Sequence, residues 1–171
     1  MNNSFFCAYN IGMAKSEKTN VMRLLDSAGI LYIDREYDPE VVDGKGVANA
    51  LDEDPDCVFK TLVTTNPKKE HFVFCVPVNC ELDLKKAAKV ANSKSIEMIP
   101  QKELLPLTGY VHGGCSPIGL KKAFPVFIDE TAELFDMIFV SGGRRGFQIG
   151  VRPFDLAKIA KASFFDIAKR E

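Results

Sequence analysis

The sequence is poor in the side chains that most hydrolases use for catalysis. It contains only two histidines, His71 and His112, and no serine, histidine and aspartate pattern typical of a catalytic triad. This scarcity argues against a conventional serine hydrolase. One nucleophilic arrangement stays open, in which Cys115 attacks and His112 acts as its base, although many cysteines are merely small apolar residues.

The cysteines are few and poorly spaced for bonding or metal binding. Their number is odd, and no Cys-x-x-Cys pair occurs among Cys7, Cys57, Cys75, Cys80 and Cys115. A disulfide framework is therefore not expected, and a reduced, cytoplasmic setting fits best. A zinc site from His112, Cys75, Cys80 and Cys115 would lack the usual ligand spacing, so we predict no metal and no cofactor.

Long hydrophobic runs are also missing. The apolar stretch from Ser4 to Met13 has no basic residue before it and is interrupted by Tyr9 and Asn10. It resembles neither a signal peptide nor a membrane span, so no membrane partner is predicted. We interpret residues 1–14 as a disordered or non-native extension, and residues 15–171 as the folded domain.

The composition suits one compact domain. The chain has 171 residues, of which 46% are hydrophobic and 26% charged, enough for one sizeable core. The formal net charge of −1 does not exclude nucleic-acid binding, which depends on local clusters of lysine and arginine.

Hydrophobic periodicity predicts a mixture of helices and strands. Helical spacing begins after Ser16 and ends at a Gly29 cap, and further helices are expected from Leu82 and from Pro153. A helical turn from Gln101 is expected to stop at Pro106. The predicted strands are 31–36, 58–64, 71–76, 124–129, 137–141 and 147–151, with a further short one at 96–99. The strands 58–64 and 71–76 are expected to form a hairpin, and Pro125 is expected either at the start of its strand or on an edge strand. The fold class is therefore α/β in the broad sense, or α+β.

The loop from Thr108 to Lys122 has unusual contents. Gly113 and Gly114 remove side-chain bulk, and Ser116-Pro117 fixes a turn. Backbone N–H groups in such a loop can bind an anion or a carbonyl oxygen. A plain solvent-exposed connection is the alternative.

Three groups of cations have two interpretations each. Lys60 lies inside a predicted strand, either facing solvent or held partly buried against a phosphate or carbonyl. Arg144 and Arg145, between glycines, form either a charged hairpin turn or a phosphate grip. The lysines of the helix from Leu82 form either a solvated face or a phosphate-binding surface.

Several motifs in register resemble the YbaK/EbsC family of free-standing aminoacyl-tRNA editing domains, which is related to the insertion domain of bacterial prolyl-tRNA synthetases. The matching segments run from about Lys18 to the C-terminus and include residues 58–62, 82–86, 108–119 and 141–146. The resemblance implies a single domain with a mixed, largely antiparallel, barrel-like β-sheet surrounded by helices. It also implies removal of a wrongly attached amino acid, usually cysteine, from tRNA(Pro), with Cys-tRNA(Cys) and prolyl-tRNA synthetase as further candidate partners.

The resemblance assigns residues as well. Lys60 matches the family's functional lysine beside the aminoacyl ester, and Gly113 matches the glycine whose backbone lines the reacting carbonyl. Two positions depart from the family pattern. Many members have a tyrosine before the first Asp-Pro turn, a position that corresponds here to Arg35 or, if the alignment is shifted, to Tyr37. Gln148 stands where some members have aspartate. The predicted substrate- and tRNA-binding residues are Phe59, Tyr110, Gly114, Ser116, Ser141, Gly142, Gly143, Arg144, Arg145 and Gln148.

The chemistry expected of such a site is modest, because an aminoacyl ester is already activated. The protein must hold the carbonyl and stabilise developing negative charge, which backbone N–H groups can do. The resemblance favours attack by the substrate's own cysteine thiol, releasing tRNA and a cyclic thiolactone, with Lys60 orienting the substrate. Hydrolytic editing of Ala-tRNA(Pro), and a non-catalytic module that binds tRNA or prolyl-tRNA synthetase, remain the alternatives.

Overall fold

The computed structural model describes residues 17–170, so the expectation about residues 1–14 lies outside the described residues. Its first helix, α1 (Asn20–Ser27), confirms the sequence pattern. Thr19 caps the helix by accepting a hydrogen bond from the N–H of Met22. Gly29 adopts a left-handed φ of 67° after the helix, and the next N–H bonds back to Leu25.

The remaining elements follow in chain order. The helices are α2 (Gly44–Ala50), α3 (Leu84–Val90), α4 (Gln101–Thr108) and α5 (Pro153–Ala160), with a 3-10 helix at Glu130–Leu134. The strands are β1 (Tyr32–Glu36), β2 (Phe59–Thr65), β3 (His71–Pro77), β4 (Glu81–Leu82), β5 (Glu97–Met98), β6 (Val126–Asp129), β7 (Ile138–Ser141), β8 (Phe147–Val151), β9 (Ala162–Phe165) and β10 (Ala168–Lys169). None of the described helices is long and apolar enough to cross a membrane.

The larger sheet has five strands in the order β5-β2-β3-β6-β9. The predicted hairpin is confirmed, since β2 and β3 pair antiparallel with Lys60 opposite Val76. Strand β3 is buried almost throughout, as its continuous apolar sequence predicted for a strand covered on both faces. Strand β6 pairs parallel with β3 and with β9, so of the two positions expected for Pro125 the strand start is confirmed and the edge strand is not.

A second, three-stranded sheet has the order β1-β8-β7 and is wholly antiparallel. It meets the larger sheet at a parallel bridge between Val58 and Phe139, where Phe139 N–H donates to Cys57 at 2.8 Å. Strands β10 and β4 form a small third pair. Within residues 17–170 these sheets make a mixed α/β single domain without closing into a barrel.

The structure departs from the sequence predictions in three places. Helix α4 continues through Pro106 to Thr108. Pro106 has no N–H to donate to the carbonyl of Lys102, four residues earlier, but Lys102 is exposed, so water can bond to that carbonyl instead. Leu82 belongs to β4, and α3 starts only after the Asp83 cap. After α5, where the sequence predicted no strand, the structure contains β9 and the two-residue β10.

Candidate functional site

A cavity of about 350 Å³ opens where the two larger sheets meet. Its walls come from β2, the start of α2, the loop after α4, and the β7–β8 hairpin. Of the sequence-predicted site residues, the cavity brings together Phe59, Lys60, Gly113, Ser141 and Gln148. Residues far apart in the chain therefore share one concave surface, the usual form of a small-molecule site.

Lys60 lies on β2 and is half-buried. Burial lowers the pKa of its ammonium group below the usual 10.5; nearby Lys45 acts in the same direction, whereas Glu81 and Cys80 oppose the shift. The residues the structure describes offer it no carboxylate within ion-pair distance. Lys60 thus lines the cavity half-buried and without an ion-pair partner among the described residues, while its contact with a phosphate or carbonyl stays a prediction.

The loop after α4 is held by its own polar side chains. Tyr110 is buried and donates its hydroxyl hydrogen to the carbonyl of Ile118, and burial raises the pKa of this phenol to about 12. Ser116 is fully buried and its Oγ accepts from the N–H of Ile118 at 3.2 Å. Tyr110 and Ser116 lie outside the cavity lining. Their hydrogen bonds therefore indicate a role in stabilising the loop and not in direct contact with a substrate.

The two adjacent glycines of this loop differ in their backbone bonding. Gly114 N–H donates to the carbonyl of Val111 at 3.0 Å, which closes a turn. Gly113 has a φ of 83°, lines the cavity, and its N–H has no hydrogen-bond acceptor within residues 17–170. The sequence offered both glycines as carbonyl-binding donors, but the turn leaves Gly113 as the one with a free N–H.

The second glycine-rich loop, residues 142–146, packs tightly against the first. A Cβ on Gly114 would lie 3.0 Å from the backbone nitrogen of Arg145, so any other residue here would have to push the two loops slightly apart. A Cβ on Gly143, whose φ is 91°, would lie 2.8 Å from Val21, and one on Gly142 would lie 3.0 Å from Phe147. These glycines serve close packing beside the cavity without lining it.

The two arginines of the second loop are exposed but not equivalent. The guanidinium of Arg144 stacks over Phe147 at 4.7 Å from the ring centroid. Arg145 Nε donates to the carbonyl of His112 at 2.7 Å and so joins the two loops. The sequence identified both as charged loop residues, but it gave no sign of this difference.

Two of the residues that line the cavity each carry a buried polar atom without a hydrogen-bond partner among the described residues. Gln148 is 5% exposed, and its Oε1, like the hydroxyl of Tyr37, is buried without a hydrogen bond among the described residues. Buried polar atoms are normally bonded, so two unpaired ones on cavity-lining residues make this wall a candidate ligand-binding position. Tyr37 was missing from the predicted site set, although the Tyr-Asp-Pro sequence could have identified it; Arg35 sits beside Gln148 in the strand register but does not line the cavity.

Cys115 also lines the cavity but has poor nucleophilic character. It is 9% exposed, and burial raises the pKa of its thiol to about 12, as burial also does for Cys75. A thiol is nucleophilic as thiolate, which this environment disfavours. Over residues 17–170, no group of three or more histidine, cysteine, aspartate or glutamate side chains is placed to hold a metal ion.

Comparisons with known proteins identify the family of this chain. A family model described as an aminoacyl-tRNA editing domain matches residues 38–159. A protein of Enterococcus faecalis (strain ATCC 700802 / V583), named "Putative Cys-tRNA(Pro)/Cys-tRNA(Cys) deacylase EbsC", is 39% identical over 91% of this chain and 96% of its own length.

Solved structures support the same fold. One, described as "a putative trans-editing enzyme for prolyl tRNA synthetase", is 22% identical with a TM-score of 0.78, covering 89% of this chain and 99% of that chain. Another, described as hypothetical protein APE2540, is 18% identical with a TM-score of 0.81, covering 87% of this chain and 99% of that one.

Proposed function

Because the chain belongs to the aminoacyl-tRNA editing domain family, we propose that it is a trans-editing deacylase that removes cysteine from tRNA(Pro). The observation that carries this proposal is the cavity, whose lining includes Lys60 without an ion-pair partner, Gly113 with an uncommitted backbone N–H, and two residues with unpaired polar atoms. The name of the 39% identical relative supports cysteine as the amino acid and adds tRNA(Cys) as a second substrate.

Gly113 and Lys60 share the chemistry. The N–H of Gly113 donates to the ester carbonyl oxygen as negative charge develops there, and the Lys60 ammonium favours the same charge. Neither group needs to attack. The high pKa of Cys115, about 12, supports a reaction without a protein nucleophile.

The substrate thiol supplies the nucleophile in this scheme. After it loses its proton, its sulfur attacks the ester carbon, a C–S bond forms, and the C–O bond to the ribose breaks. The ribose oxygen takes up a proton and leaves as the free 3′ end of the tRNA, and cysteine departs as its cyclic thiolactone.

The unpaired atoms of Tyr37 and Gln148 suit recognition of the aminoacyl group. An α-ammonium donates hydrogen bonds, and Gln148 Oε1 and the Tyr37 oxygen, which lack partners among the described residues, accept them once these side chains turn toward the bound substrate. The exposed Arg144 is placed to contact a tRNA phosphate beyond the cavity. Selection of the tRNA, by its acceptor stem or by prolyl-tRNA synthetase, belongs to the same proposal, as does a cytoplasmic location.

The test is a deacylation panel with labelled Cys-tRNA(Pro), Cys-tRNA(Cys), Ala-tRNA(Pro) and Ser-tRNA(Pro). We expect release of cysteine and little release of serine, whose hydroxyl replaces the thiol. Lys60→Ala should lose most of the activity. Lys68→Ala is the matched control, since Lys68 is exposed in the β2–β3 turn outside the cavity lining.

Each other outcome points to a different function. Preferential release of alanine, with free amino acid as the product, would indicate hydrolytic editing and not thiol-assisted cleavage. Binding of tRNA without release of any amino acid would indicate that the protein is a tRNA-binding module and not an enzyme. Full activity in Lys60→Ala would remove Lys60 from the mechanism.

A further inference from the structure

The contact between Arg145 and the first glycine-rich loop bears directly on the backbone donor of the cavity. Arg145 Nε donates to the His112 carbonyl at 2.7 Å. That carbonyl and the N–H of Gly113 belong to the same peptide unit, and the structure contains no cis peptide bond over the described residues. In a planar trans peptide the C=O and the N–H point in opposite directions.

Fixing the orientation of the His112 carbonyl therefore fixes the orientation of the Gly113 N–H. With the His112 oxygen turned to Arg145, the Gly113 N–H is directed away from the guanidinium, and Gly113 lines the cavity. Glycine at a φ of 83° has wide conformational freedom, so this peptide would otherwise be easy to rotate. The N–H of Gly114 already bonds to Val111 and offers no substitute.

We propose that Arg145 is a positioning residue, which holds the His112–Gly113 peptide so that its N–H meets the carbonyl oxygen of the ester. The inference rests on the proposed function for its kinetic consequence. The positive charge on the carbonyl side also polarises the peptide and strengthens the N–H as a donor. Arg145 then acts on the rate of the chemical step, whereas a phosphate contact would act on tRNA binding.

The kinetic test compares four variants with Cys-tRNA(Pro). Arg145→Ala should lower kcat about 10- to 100-fold, as expected for a misdirected oxyanion donor, with KM within about twofold. Arg145→Lys should recover part of kcat, because the ammonium can still bond to the carbonyl. Arg144→Ala should instead raise KM and weaken its salt dependence, and exposed Arg23→Ala on α1 should change neither.

A second measurement follows the Gly113 amide itself. In ¹⁵N-resolved NMR spectra, Arg145→Ala should shift or broaden the Gly113 resonance, and Arg23→Ala should leave it in place. Unchanged kcat in Arg145→Ala, or a raised KM with a flatter salt dependence, would overturn the proposal. A wild type that releases no amino acid, with the Gly113 resonance still dependent on Arg145, would refute the proposed function and keep the positioning contact.

Discussion

Replacing Gln148 with methionine should make the protein more stable and less active at once. Gln148 is 5% exposed, and its Oε1 has no hydrogen-bond partner among residues 17–170. An unsatisfied buried polar atom costs about 1–3 kcal/mol, and an apolar side chain of similar length removes that cost without opening a cavity. We therefore expect the free energy of unfolding to rise by about 1 kcal/mol.

For a chain of this size, 1 kcal/mol corresponds to a rise in Tm of about 2–4 °C. The effect on activity has the opposite sign. If Gln148 Oε1 accepts a hydrogen bond from the α-ammonium of the substrate, losing a bond to a charged group costs about 1.5–3 kcal/mol. That loss predicts a fall in kcat/KM of roughly 10- to 150-fold for Cys-tRNA(Pro).

Thermal unfolding and single-turnover deacylation measure the two effects. Gln101→Met is the matched control, because Gln101 is exposed at the start of α4 and should change neither quantity. A lower Tm in Gln148→Met would show that Oε1 is satisfied in the free protein. Unchanged kcat/KM would show that the substrate does not use it, and either result refutes the reasoning.

Three further predictions concern other groups. Cys115→Ala should retain deacylation within about threefold, because burial holds the thiol pKa near 12, and loss of activity on the same substrates would restore the nucleophile hypothesis. Deacylation activity should fall as pH rises through the pKa of Lys60, which lies below 10.5, since the protonated form favours the developing negative charge. In Lys60→Arg, this fall in the pH–activity profile should move to higher pH. If it does not move, the fall belongs to another titrating group. Asp129→Ala should lower the free energy of unfolding in urea by about 2–5 kcal/mol, because the fully buried carboxylate accepts hydrogen bonds from the N–H groups of Ile167 and Ala168. Asp136 is exposed, so Asp136→Ala should have little effect. An equal loss of stability in the two variants would contradict this account.

The secondary structure was largely readable from local patterns. Helical spacing predicted α1 and α5, and runs of β-branched and apolar residues predicted β2, β3, β7 and β8, with a hairpin between the first two. The failures have local causes too. Strands β9 and β10 are short, and the exposed start of α4 tolerates Pro106.

The candidate site was predictable only in part. Lys60, Gly113 and Gln148 were recognised from motifs in the chain, and the structure places them on one cavity. Tyr37 was left undecided against Arg35, two residues earlier in the chain, and the structure places Tyr37 but not Arg35 in the cavity lining. The roles of Tyr110 and Ser116 changed from binding to support once their hydrogen bonds were visible.

By itself, the sequence determined the class of fold, the family resemblance and the glycine-rich loops, since these depend on residue type and spacing. Tertiary structure decided what each backbone group is free to do. Gly113 and Gly114 are indistinguishable as letters, yet one N–H closes a turn and the other is uncommitted at the cavity. The reason is physical: hydrogen bonds across distant segments, such as that from Arg145 to His112, commit donors and acceptors in ways that no local pattern records.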